Sequence, residues 1–511
     1  MVEFGKVILP SGAGVLHNST KSQKVVIAGG GTAGWITATA LAKKLGDLLD
    51  ITLIESNNIG TIGVGEATIP TAKTFHRLIG IDEQELMRAT NATFKLGIQF
   101  ENWSNPGDVY FHSFGTVGQD SWLAGFQHFW LQGKQKNISG EIGEYSLENQ
   151  AAQNGKFSCL PGIDINYAYH LDALLYAKFL KKIAIENGVN YIEGRIDRVT
   201  RNEQTGFIET LILESGQVID GDLFIDCTGF NALLIEQTLQ TGFEDWSHLL
   251  PCDAAIAVQT EQTHSSISPF TRSIALDAGW RWCIPLQNRM GNGYVYSRRH
   301  VSDDEATATL LKQIDGKPIN EPRVITHRPG VRRKVWNKNC IAIGLSGGFL
   351  EPLESTGIHL FMMGVVRLIQ LFPFNGIHQS LQDQYNELTV SELTSIRDFI
   401  ILHYHATQRV DTQFWRDCKQ RAISPTLAHR IDLFSQNAQV YHGPYELFSV
   451  NSWMQVMLGQ GITPKYYHDS VSTMSDNNLN KFLSSIALPI NQKIASMPSH
   501  RDFINQYCKS N

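Results

Sequence analysis

The chain has 511 residues, of which 42% are hydrophobic and 18% charged, and its formal net charge at pH 7 is −6. This composition is typical of a folded globular protein with a large core and excludes a disordered chain. Because no dense Lys/Arg run is present, nucleic acid and anionic membranes are excluded as partners. No apolar run approaches the roughly 18 residues of a transmembrane helix, so none is predicted.

The 7 cysteines are scattered, and no two of them form a C-x-x-C pair. An odd and dispersed set favours reduced thiols and a cytoplasmic location over a disulfide framework. Neither the cysteines nor the histidines have the spacing of a zinc site, so no metal is predicted. Residues 1–23 lack an apolar stretch followed by a cleavage site and are interpreted as a flexible leader.

The first predicted elements after this leader are a strand, a glycine-rich turn and a helix. Val25–Gly34 reads VVIAGGGTAG, and the Ala- and Leu-rich segment Thr32–Leu45 predicts the helix. Ile51–Glu55 predicts a second buried strand that ends in an acid. This order is that of the opening β-α-β unit of a dinucleotide-binding fold.

The glycine-rich turn contains a G-x-G-x-x-G motif from Gly29 to Gly34. Without side chains, the backbone can approach a pyrophosphate, and the N–H groups of the helix start face its negative charge. The acid that ends the second strand is positioned to accept hydrogen bonds from the adenosine ribose. A glycine turn without a ligand is the alternative, and the motif alone does not separate FAD from NAD. The residues predicted to bind the cofactor here are Gly29, Gly31, Thr32, Ala33, Gly34 and Glu55.

Three further segments favour FAD, because a long cofactor needs several separated strand ends to hold its two halves. Thr61–Pro70 is a second glycine-containing segment, and Asp222–Gly229 is a late strand that ends in small residues. Ala342–Gly357 is a third strand with a glycine-rich exit that runs into a helix. The cofactor-binding residues predicted in these segments are Ala67, Ile69, Gly344 and Leu345.

The remaining pattern predicts an α/β protein with an FAD/NAD(P)-binding, Rossmann-like three-layer fold of the flavin monooxygenase kind and a largely helical second module. We expect an FAD module at 24–375, with inserted β-rich segments at about 85–165 and 240–330, and a helical module at 376–511. Other expected elements are a capped helix starting at Asp82, one strand at 94–101, loops at 115–165, a helix at 170–184, strands at 190–200 and 206–213, and a helix at 356–372.

Five motifs give the sequence a specific resemblance. They are GGGTAGW at Gly29–Trp35, GVGEATIP at Gly63–Pro70, FKLGIQFENW at Phe94–Trp103, GWRWCIP at Gly279–Pro285 and FLEPLESTGI at Phe349–Ile358. In this order they resemble the flavin-dependent tryptophan halogenase family. The likeness runs from residue 25 to about 372, weakens to about 415 and fades beyond about 420.

The resemblance implies an enzyme that uses reduced FAD, oxygen and a chloride or bromide ion to make hypohalous acid. That electrophile would halogenate an electron-rich aromatic, either an indole or a tryptophan-like compound. FADH2 would come from a separate NAD(P)H-dependent flavin reductase, which agrees with the lack of a second dinucleotide fingerprint. Because the substrate region is not matched, the exact substrate stays open. A homodimer is possible, but the sequence does not fix the oligomeric state.

Two residues carry the chemistry in the resemblance. Lys95 would hold hypohalous acid by a hydrogen bond or as a haloamine, and the second route requires desolvation to lower the lysine pKa. Glu354 would stabilise the cationic ring intermediate and accept its proton. The plainer alternatives are a surface lysine beside Glu101 and a carboxylate that caps a helix, and Glu351 is a local rival of Glu354.

The resemblance places the halide at Thr356 and Gly357, where a helix begins and its backbone N–H groups attract an anion. An ordinary helix cap is the alternative. Trp280 and Trp282 alternate around Arg281, as on a half-buried strand, and core packing is their alternative role. The residues expected near the flavin are Trp280, Trp282, Ile284, Pro285 and Ser355. Those expected at the substrate are His112, Phe114 and Trp453, beside a stretch in which Tyr445, Glu446 and Phe448 are further candidates.

Two rival functions are weighed against halogenation. A two-component flavin monooxygenase would hydroxylate an aromatic, and a non-catalytic FAD-binding protein would have lost the chemistry. The joint presence of Lys95 and Glu354 argues against the second rival. An internal tunnel is expected to join the flavin and substrate sites.

Overall fold

The computed structural model describes residues 22–56 and 65–510, so most of the expected leader and part of Thr61–Pro70 lie outside the described residues. The strands are β1 (Gln23–Ala28), β2 (Leu49–Glu55), β3 (Gly65–Ala67), β4 (Thr93–Lys95), β5 (Gly97–Glu101), β6 (Val109–Ser113), β7 (Ala168–Asp172), β8 (Asn190–Glu193), β9 (Ile196–Arg201), β10 (Ile208–Leu213), β11 (Val218–Asp220), β12 (Leu223–Asp226), β13 (Phe243–Asp245), β14 (Ala254–Glu261), β15 (Thr271–Leu276), β16 (Gly279–Pro285), β17 (Arg289–Tyr296), β18 (Arg323–Thr326), β19 (Gly330–Arg332), β20 (Trp336–Asn337), β21 (Cys340–Ala342) and β22 (Gly348–Phe349).

The α-helices are α1 (Thr32–Leu45), α2 (Thr71–Leu78), α3 (Glu83–Ala89), α4 (Phe126–Gln135), α5 (Leu147–Gln153), α6 (Ala173–Glu186), α7 (Asp303–Gln313), α8 (Gly357–Gln370), α9 (Gln379–His405), α10 (Gln413–Gln420), α11 (Pro425–Asn437), α12 (Val450–Gly459), α13 (Asp476–Ser496) and α14 (His500–Tyr507). Short 3₁₀ turns include Pro352–Glu354, and Leu233–Thr238 forms a π-helix.

The central sheet has the order β20-β21-β12-β1-β2-β8, and all of its strands are parallel except β20. Alternate residues of β1 face opposite layers, as the pleat of a strand requires. Val25 and Ile27 pack in the large core that contains α1, whereas Val26 and Ala28 pack with Leu211 of the small β11-β10-β9 sheet. Helices, central sheet and small sheet therefore form the predicted three layers.

A second sheet has the order β18-β14-β17-β16-β15-β5-β6 and is antiparallel except where β5 joins β15. It combines strands from both of the segments expected to be inserted into the FAD module. The sequence interpretation of Gly279–Pro285 as half-buried is wrong, because every residue of β16 is buried. The strand lies inside the sheet between β15 and β17, and Arg281 on its other face donates to the backbone oxygen of Gln313.

The expected single strand at 94–101 is two strands. Leu96 interrupts it: its backbone N–H donates to Pro269 and its carbonyl accepts from Phe114. As a result, β4 pairs with β7 in the small β3-β7-β4 sheet, while β5 joins the seven-stranded sheet. The alternation of apolar residues was read correctly, but the change of partner at Leu96 turns Lys95 away from solvent.

Other boundaries differ from the sequence expectations in local ways. Residues 115–165 are not loops throughout, because α4 and α5 lie within them. Helix α4 follows Gly125, α5 begins at the cap Ser146, and both helices bury apolar residues. The segment at 190–200 divides into β8 and β9, and the helix expected from residue 170 starts at Ala173 after β7. Asp82 caps α3 by accepting from the backbone N–H of Glu85, as expected.

The last third of the chain is mainly helical, from α9 to α14. Helix α8 connects the central sheet region with this helical part, because it packs against α1 and α2 and also against α9. Among the described residues, no helix has the length and apolar character needed to cross a bilayer. The division at residue 375 stays a prediction.

The turn before α1 depends on a close approach of the backbone at Gly34. A Cβ on Gly34 would lie 1.9 Å from the carbonyl oxygen of Gly29, whereas one on Gly31 would meet nothing within 4 Å. We therefore expect Gly34→Ala to lower the unfolding free energy of the cofactor-free protein by about 1–3 kcal/mol. This is a net loss, because the clash outweighs the higher helix propensity of alanine. Gly31→Ala is the matched control and should leave that free energy unchanged in denaturant titrations. Equal stabilities of the two variants would contradict this account of the turn.

Candidate active site

The glycine turn has the geometry of a dinucleotide cradle. Gly29 has a φ of +108°, and its N–H donates to Ile54 at the end of β2, which holds the turn against the central sheet. Gly31 directly precedes α1 and has open space where a side chain would lie. A phosphate there would face the free N–H groups of the first helical turn.

The two other predicted cofactor contacts on strand ends are also in position. Glu55 ends β2, and one of its carboxylate oxygens accepts from Lys181 at 3.0 Å. Gly344 follows β21 with a φ of +93°, and a Cβ on it would lie 2.7 Å from that of Ala33. This glycine lets the segment with Leu345 lie against the start of α1. The described residues therefore fit a dinucleotide cofactor.

Lys95 is buried at the end of β4, with no side-chain exposure. Its Nζ donates to the Ser355 hydroxyl at 2.7 Å and to the Thr68 carbonyl at 3.1 Å. Thr68 lies between Ala67 and Ile69, two of the predicted cofactor contacts. The lysine therefore connects the segment after β3 with the segment before α8.

Burial lowers the pKa of Lys95 to about 7, although the nearby Glu354 carboxylate acts in the opposite direction. A neutral amine has two hydrogens and one lone pair. The two acceptors take both hydrogens and leave the lone pair, and Nζ lies 5.1 Å from the ring centroid of Phe114. The desolvation that haloamine chemistry requires is present, and the alternative of a surface lysine is wrong.

Glu354 lies at the end of the 3₁₀ turn before α8 and is 1% exposed. His112 Nδ1 is 2.9 Å from one carboxylate oxygen, and His403 Nε2 is 2.9 Å from the other. Burial alone would raise the pKa of Glu354, but the charges of these two imidazoles and the hydrogen bond with His112 lower it to about 2. Glu354 is therefore ionised at neutral pH, although almost no solvent reaches it.

Sequence reasoning missed His403. The sequence patterns bear on His403 only as a possible metal ligand. Within the described parts of the chain, no group of histidine, cysteine or acidic residues could hold a metal. Glu354 and His403 are 49 residues apart, and no sequence motif links them. Their contact depends on how α9 packs beside α8. A histidine in the last turn of a buried helix was the only available signal.

Glu351, the local rival, has a different environment. Burial raises its pKa to about 8 despite the nearby Tyr404 and Trp280, so it is mostly protonated at neutral pH. Neither of its oxygens has a directed hydrogen bond in the part of the chain that the structure describes. Of the two acids, Glu354 is the one held as a carboxylate beside Lys95.

The predicted tryptophan pair lies on β16, and the ring centroids of Trp280 and Trp282 are 6.2 Å apart. Both indole N–H groups are buried and have no acceptor among the described residues. The strand packs beside β3, and the carbonyl of Pro285 accepts from Thr93 in β4. This places the tryptophan strand, with Ile284, next to the segments that hold Lys95.

Thr356 and Gly357 form the start of α8. Thr356 is 1% exposed, and its hydroxyl has no hydrogen-bond partner among the described residues. Gly357 is the first helical residue, and no atom lies within 4 Å of where its side chain would be. A buried donor, an open helix start and the N-terminal dipole together form a site that suits a small anion.

Two of the three predicted substrate residues, His112 and Trp453, share an aromatic cluster beside the carboxylate, whereas Phe114 lies beside Lys95. His112 packs near Phe399 and Phe448, whose rings stack at 3.8 Å, and Trp453 meets Phe399 edge-on at 4.7 Å. Tyr445, a further candidate, is 62% exposed and does not belong to this cluster.

Glu446 has a structural partner, because it accepts from Arg430 at 2.6 Å. The Arg430 guanidinium also donates to the Tyr441 carbonyl and lies 4.0 Å from the ring centroid of Trp453. This cation and this carboxylate therefore satisfy each other.

The comparisons with known proteins agree with this geometry. The tryptophan halogenase family model matches residues 24–476. A tryptophan 6-halogenase from Streptomyces toxytricini is 35% identical over 87% of this chain and 90% of its own length, and a tryptophan 7-halogenase from Lentzea aerocolonigenes is 34% identical over 96% and 99%.

Among solved structures, a flavin-dependent halogenase from Xanthomonas campestris is 51% identical with a TM-score of 0.94, covering 96% of this chain and 99% of its own. One from Brevundimonas sp. BAL3 is 43% identical with a TM-score of 0.91, covering 95% and 99%.

The chain belongs to the tryptophan halogenase family. Its relatives are flavin-dependent halogenases, and their structures share its FAD-binding, Rossmann-like fold. The halogenase assignment from the sequence is therefore supported over hydroxylation and over a non-catalytic protein. Family membership implies FAD and a halide, whereas the individual roles of the site residues, the internal tunnel and a homodimer stay predictions.

The ionised state of Glu354 in this halogenase has a consequence for acid stability. Its pKa is about 2 in the folded protein and about 4.5 when unperturbed, so the unfolded chain binds the proton more readily. The resulting stabilisation is complete above about pH 4.5 and is lost as the pH falls towards 2. Between pH 6 and pH 3, both proteins should lose unfolding free energy. We expect the loss in the wild type to exceed the loss in Glu354→Gln by more than about 1 kcal/mol.

Urea titrations at these two pH values measure that difference, with the exposed Glu203→Gln as the control. Parallel losses in the wild type and in Glu354→Gln would mean that the histidines do not hold the carboxylate in its ionised form.

Proposed function

We propose that this protein halogenates an electron-rich aromatic, indole or tryptophan-like, with hypohalous acid that Lys95 holds and Glu354 helps to transfer. The observation that carries the proposal is the shared burial of this amine and this carboxylate, linked through Ser355, in a member of the halogenase family. Burial of an ionisable side chain is unfavourable, so keeping an amine and a carboxylate together in the core indicates a role in chemistry.

The glycine turn, Glu55 and the segment of Gly344 and Leu345 would hold FAD, with Ala67 and Ile69 beside it. Bound as FADH2, this cofactor would supply the electrons that activate oxygen, and oxygen, the oxidant, would convert the halide to hypohalous acid. Trp280, Trp282, Ile284 and Pro285 would shield this chemistry from the aromatic substrate, since their strand is fully buried.

Thr356 and Gly357 would bind the chloride or bromide. The unpartnered Thr356 hydroxyl supports this role, because a buried hydroxyl without an acceptor costs roughly 1–3 kcal/mol, and an anion would relieve that cost. Ser355, which adjoins this site, is the residue that Lys95 contacts, so the halide and the amine are separated by a short path along one loop.

Lys95 would orient the electrophile. As a hydrogen-bond donor or as a haloamine, it fixes the halogen at the end of a buried side chain instead of letting hypohalous acid diffuse. Its pKa of about 7 makes both the ammonium and the neutral amine available near neutral pH. Phe114 beside Nζ would bound the space into which the substrate ring enters.

Glu354 would stabilise the positive charge that develops on the ring and take part in removing its proton. The balanced reaction is Ar–H plus HO–X to Ar–X plus water, in which a C–X bond forms and the X–O and C–H bonds break. A carboxylate held ionised in a dry site exerts a stronger electrostatic effect than it would in water.

The substrate would be recognised through its ring. His112, Phe448 and Trp453 provide aromatic surfaces, whereas Arg430 and Glu446 are already paired with each other. We therefore expect an indole ring to suffice for binding. FADH2 would come from a separate NAD(P)H-dependent reductase in the cytoplasm.

The product of the reaction distinguishes halogenation from its rivals. With FAD, NADH, a flavin reductase and bromide, we expect indole or tryptophan to gain the mass and isotope pattern of one bromine. Without bromide or chloride, no modified product should form. A hydroxylated product that does not depend on halide would instead establish a monooxygenase, and FAD binding without any product would favour a non-catalytic protein.

Lys95→Ala tests the role of the amine. We expect halogenated product to fall by at least about 10²-fold, as for the loss of a positioned catalytic group, while FAD binding and reduced-flavin oxidation stay within about twofold. Product is measured by liquid chromatography and mass spectrometry, and flavin binding by fluorescence quenching. The exposed Lys312→Ala is the control. Product formation by Lys95→Ala at the wild-type rate would remove Lys95 from the mechanism.

A further inference from the structure

Glu354 is held by one imidazole on each carboxylate oxygen. His112 approaches from β6 and His403 from the last turn of α9, each at 2.9 Å. All three side chains have at most 3% of their surface exposed. A carboxylate in contact with two ring nitrogens is a place where protons are shared, and halogenation requires one proton to be given and one to be removed.

The hydrogen on one side of His403 is fixed by its surroundings. Its Nδ1 lies 2.9 Å from the backbone carbonyl oxygen of Phe399. A carbonyl can only accept, so Nδ1 carries a hydrogen. If His403 were neutral, its Nε2 would carry no hydrogen, and an electron-rich nitrogen would lie 2.9 Å from a carboxylate oxygen, which is repulsive.

A hydrogen on Nε2 of His403 removes this repulsion. Because the contact does not have the angle of a hydrogen bond, attraction between an imidazolium and a carboxylate accounts for the short distance. The low pKa of Glu354 assigns the proton mainly to the histidine. The resting pair is then an imidazolium beside a carboxylate, with no net charge.

Aromatic rings enclose the imidazolium. The ring centroids of Phe100, Phe399 and Trp103 lie 4.8, 5.4 and 5.9 Å from that of His403. Because Nδ1 is committed to a carbonyl and His403 has no exposed surface, Glu354 is the direct neighbour through which its proton can leave.

The other titratable groups that face this pair lie on β4 and β6. They are Lys95, which interacts with the Glu354 charge, His112 on the second oxygen, and Tyr110, whose pKa is raised by burial and by Glu354. The Tyr110 hydroxyl accepts from Gln460 and keeps its own proton at neutral pH. Lys95, whose pKa is about 7, is therefore a group whose titration also affects the pair.

We propose that His403 is a positioning residue that stores the proton for both halves of the halogen transfer and acts through Glu354. This inference rests on the proposed function. As the C–X bond forms and the X–O bond breaks, the electron pair of that bond stays on oxygen, and the proton of His403 passes through Glu354 to make water. The C–H proton of the ring intermediate then returns to Glu354 and on to His403. The pair ends in its starting state, and no other reactant is needed.

His403→Gln is the test, because an amide can contact Glu354 but cannot store a proton. We expect kcat for halogenation to fall about 10²-fold, within the usual range for acid–base catalysis, with the KM of indole changed by less than about threefold. Reduced-flavin oxidation should continue, and unused hypohalous acid should appear in a diketone trap.

His405→Gln is the matched control, since this histidine lies two residues further along and is only half-buried. Its kcat and KM should equal those of the wild type. If His403→Gln halogenates with the wild-type kcat, the inference is overturned, whereas a wild type that makes no halogenated product overturns the proposed function instead.

A second measurement does not depend on the folding of the variant. In the wild-type protein labelled with ¹⁵N-histidine, both ring nitrogens of His403 should have the chemical shifts of an imidazolium at pH 7. Glu354→Gln, which removes the countercharge, should lose that signature. A neutral His403 at pH 7 in the wild type would overturn the inference even if the variant did not fold.

Discussion

The structure depends on one buried contact, in which the Lys95 amine bonds to the Ser355 hydroxyl and to the Thr68 carbonyl. These two acceptors come from segments that are distant in sequence, one after β3 and one before α8. The contact therefore brings together the part of the fold beside the predicted cofactor site and the loop that carries Glu354. Burial of the amine is unfavourable by itself, and the bonds and the nearby carboxylate offset that cost only in part, because the lysine pKa still falls to about 7.

The same low-exposure environment has opposite effects on the acids around it. Glu351 has its pKa raised to about 8 by burial, whereas Glu354, three residues later, has its pKa lowered to about 2 by two histidines. Burial alone does not decide which acid is charged; the partners of each carboxylate do. An enzyme that handles a cationic ring intermediate needs such a carboxylate kept ionised away from water, and it also needs a proton source close by.

Local patterns in the sequence predicted the glycine turn, the strands β1 and β2 and the helix α1 between them. The glycine turn, the acid at the end of β2 and the helix that starts at Gly357 follow from short-range rules, since backbone geometry and helix ends are set by neighbouring residues. The pairing of Lys95 with Glu354 came from the family resemblance. Periodicity alone placed Lys95 on the polar face of a strand, and the break at Leu96 that buries it depends on hydrogen bonds to Pro269 and Phe114.

Contacts between distant elements were the part that the sequence could not provide. His403 meets Glu354 only because α9 packs beside α8, and Arg430 meets Glu446 only after the chain between α11 and α12 has folded back. A half-buried strand was inferred for Gly279–Pro285 because its tryptophans alternate around Arg281. In the structure the strand lies between β15 and β17, and Arg281 donates to the backbone carbonyl of Gln313. Alternation reports which residues share a face and does not report what covers that face.

A crystal structure of the protein with FAD and bromide tests the central claim most directly. The account predicts Lys95 Nζ within hydrogen-bond distance of Ser355, Glu354 between His112 and His403, and both groups in one enclosed space apart from the flavin ring. A Lys95 side chain that reaches solvent, or a Glu354 carboxylate that points away from the two histidines, would contradict it.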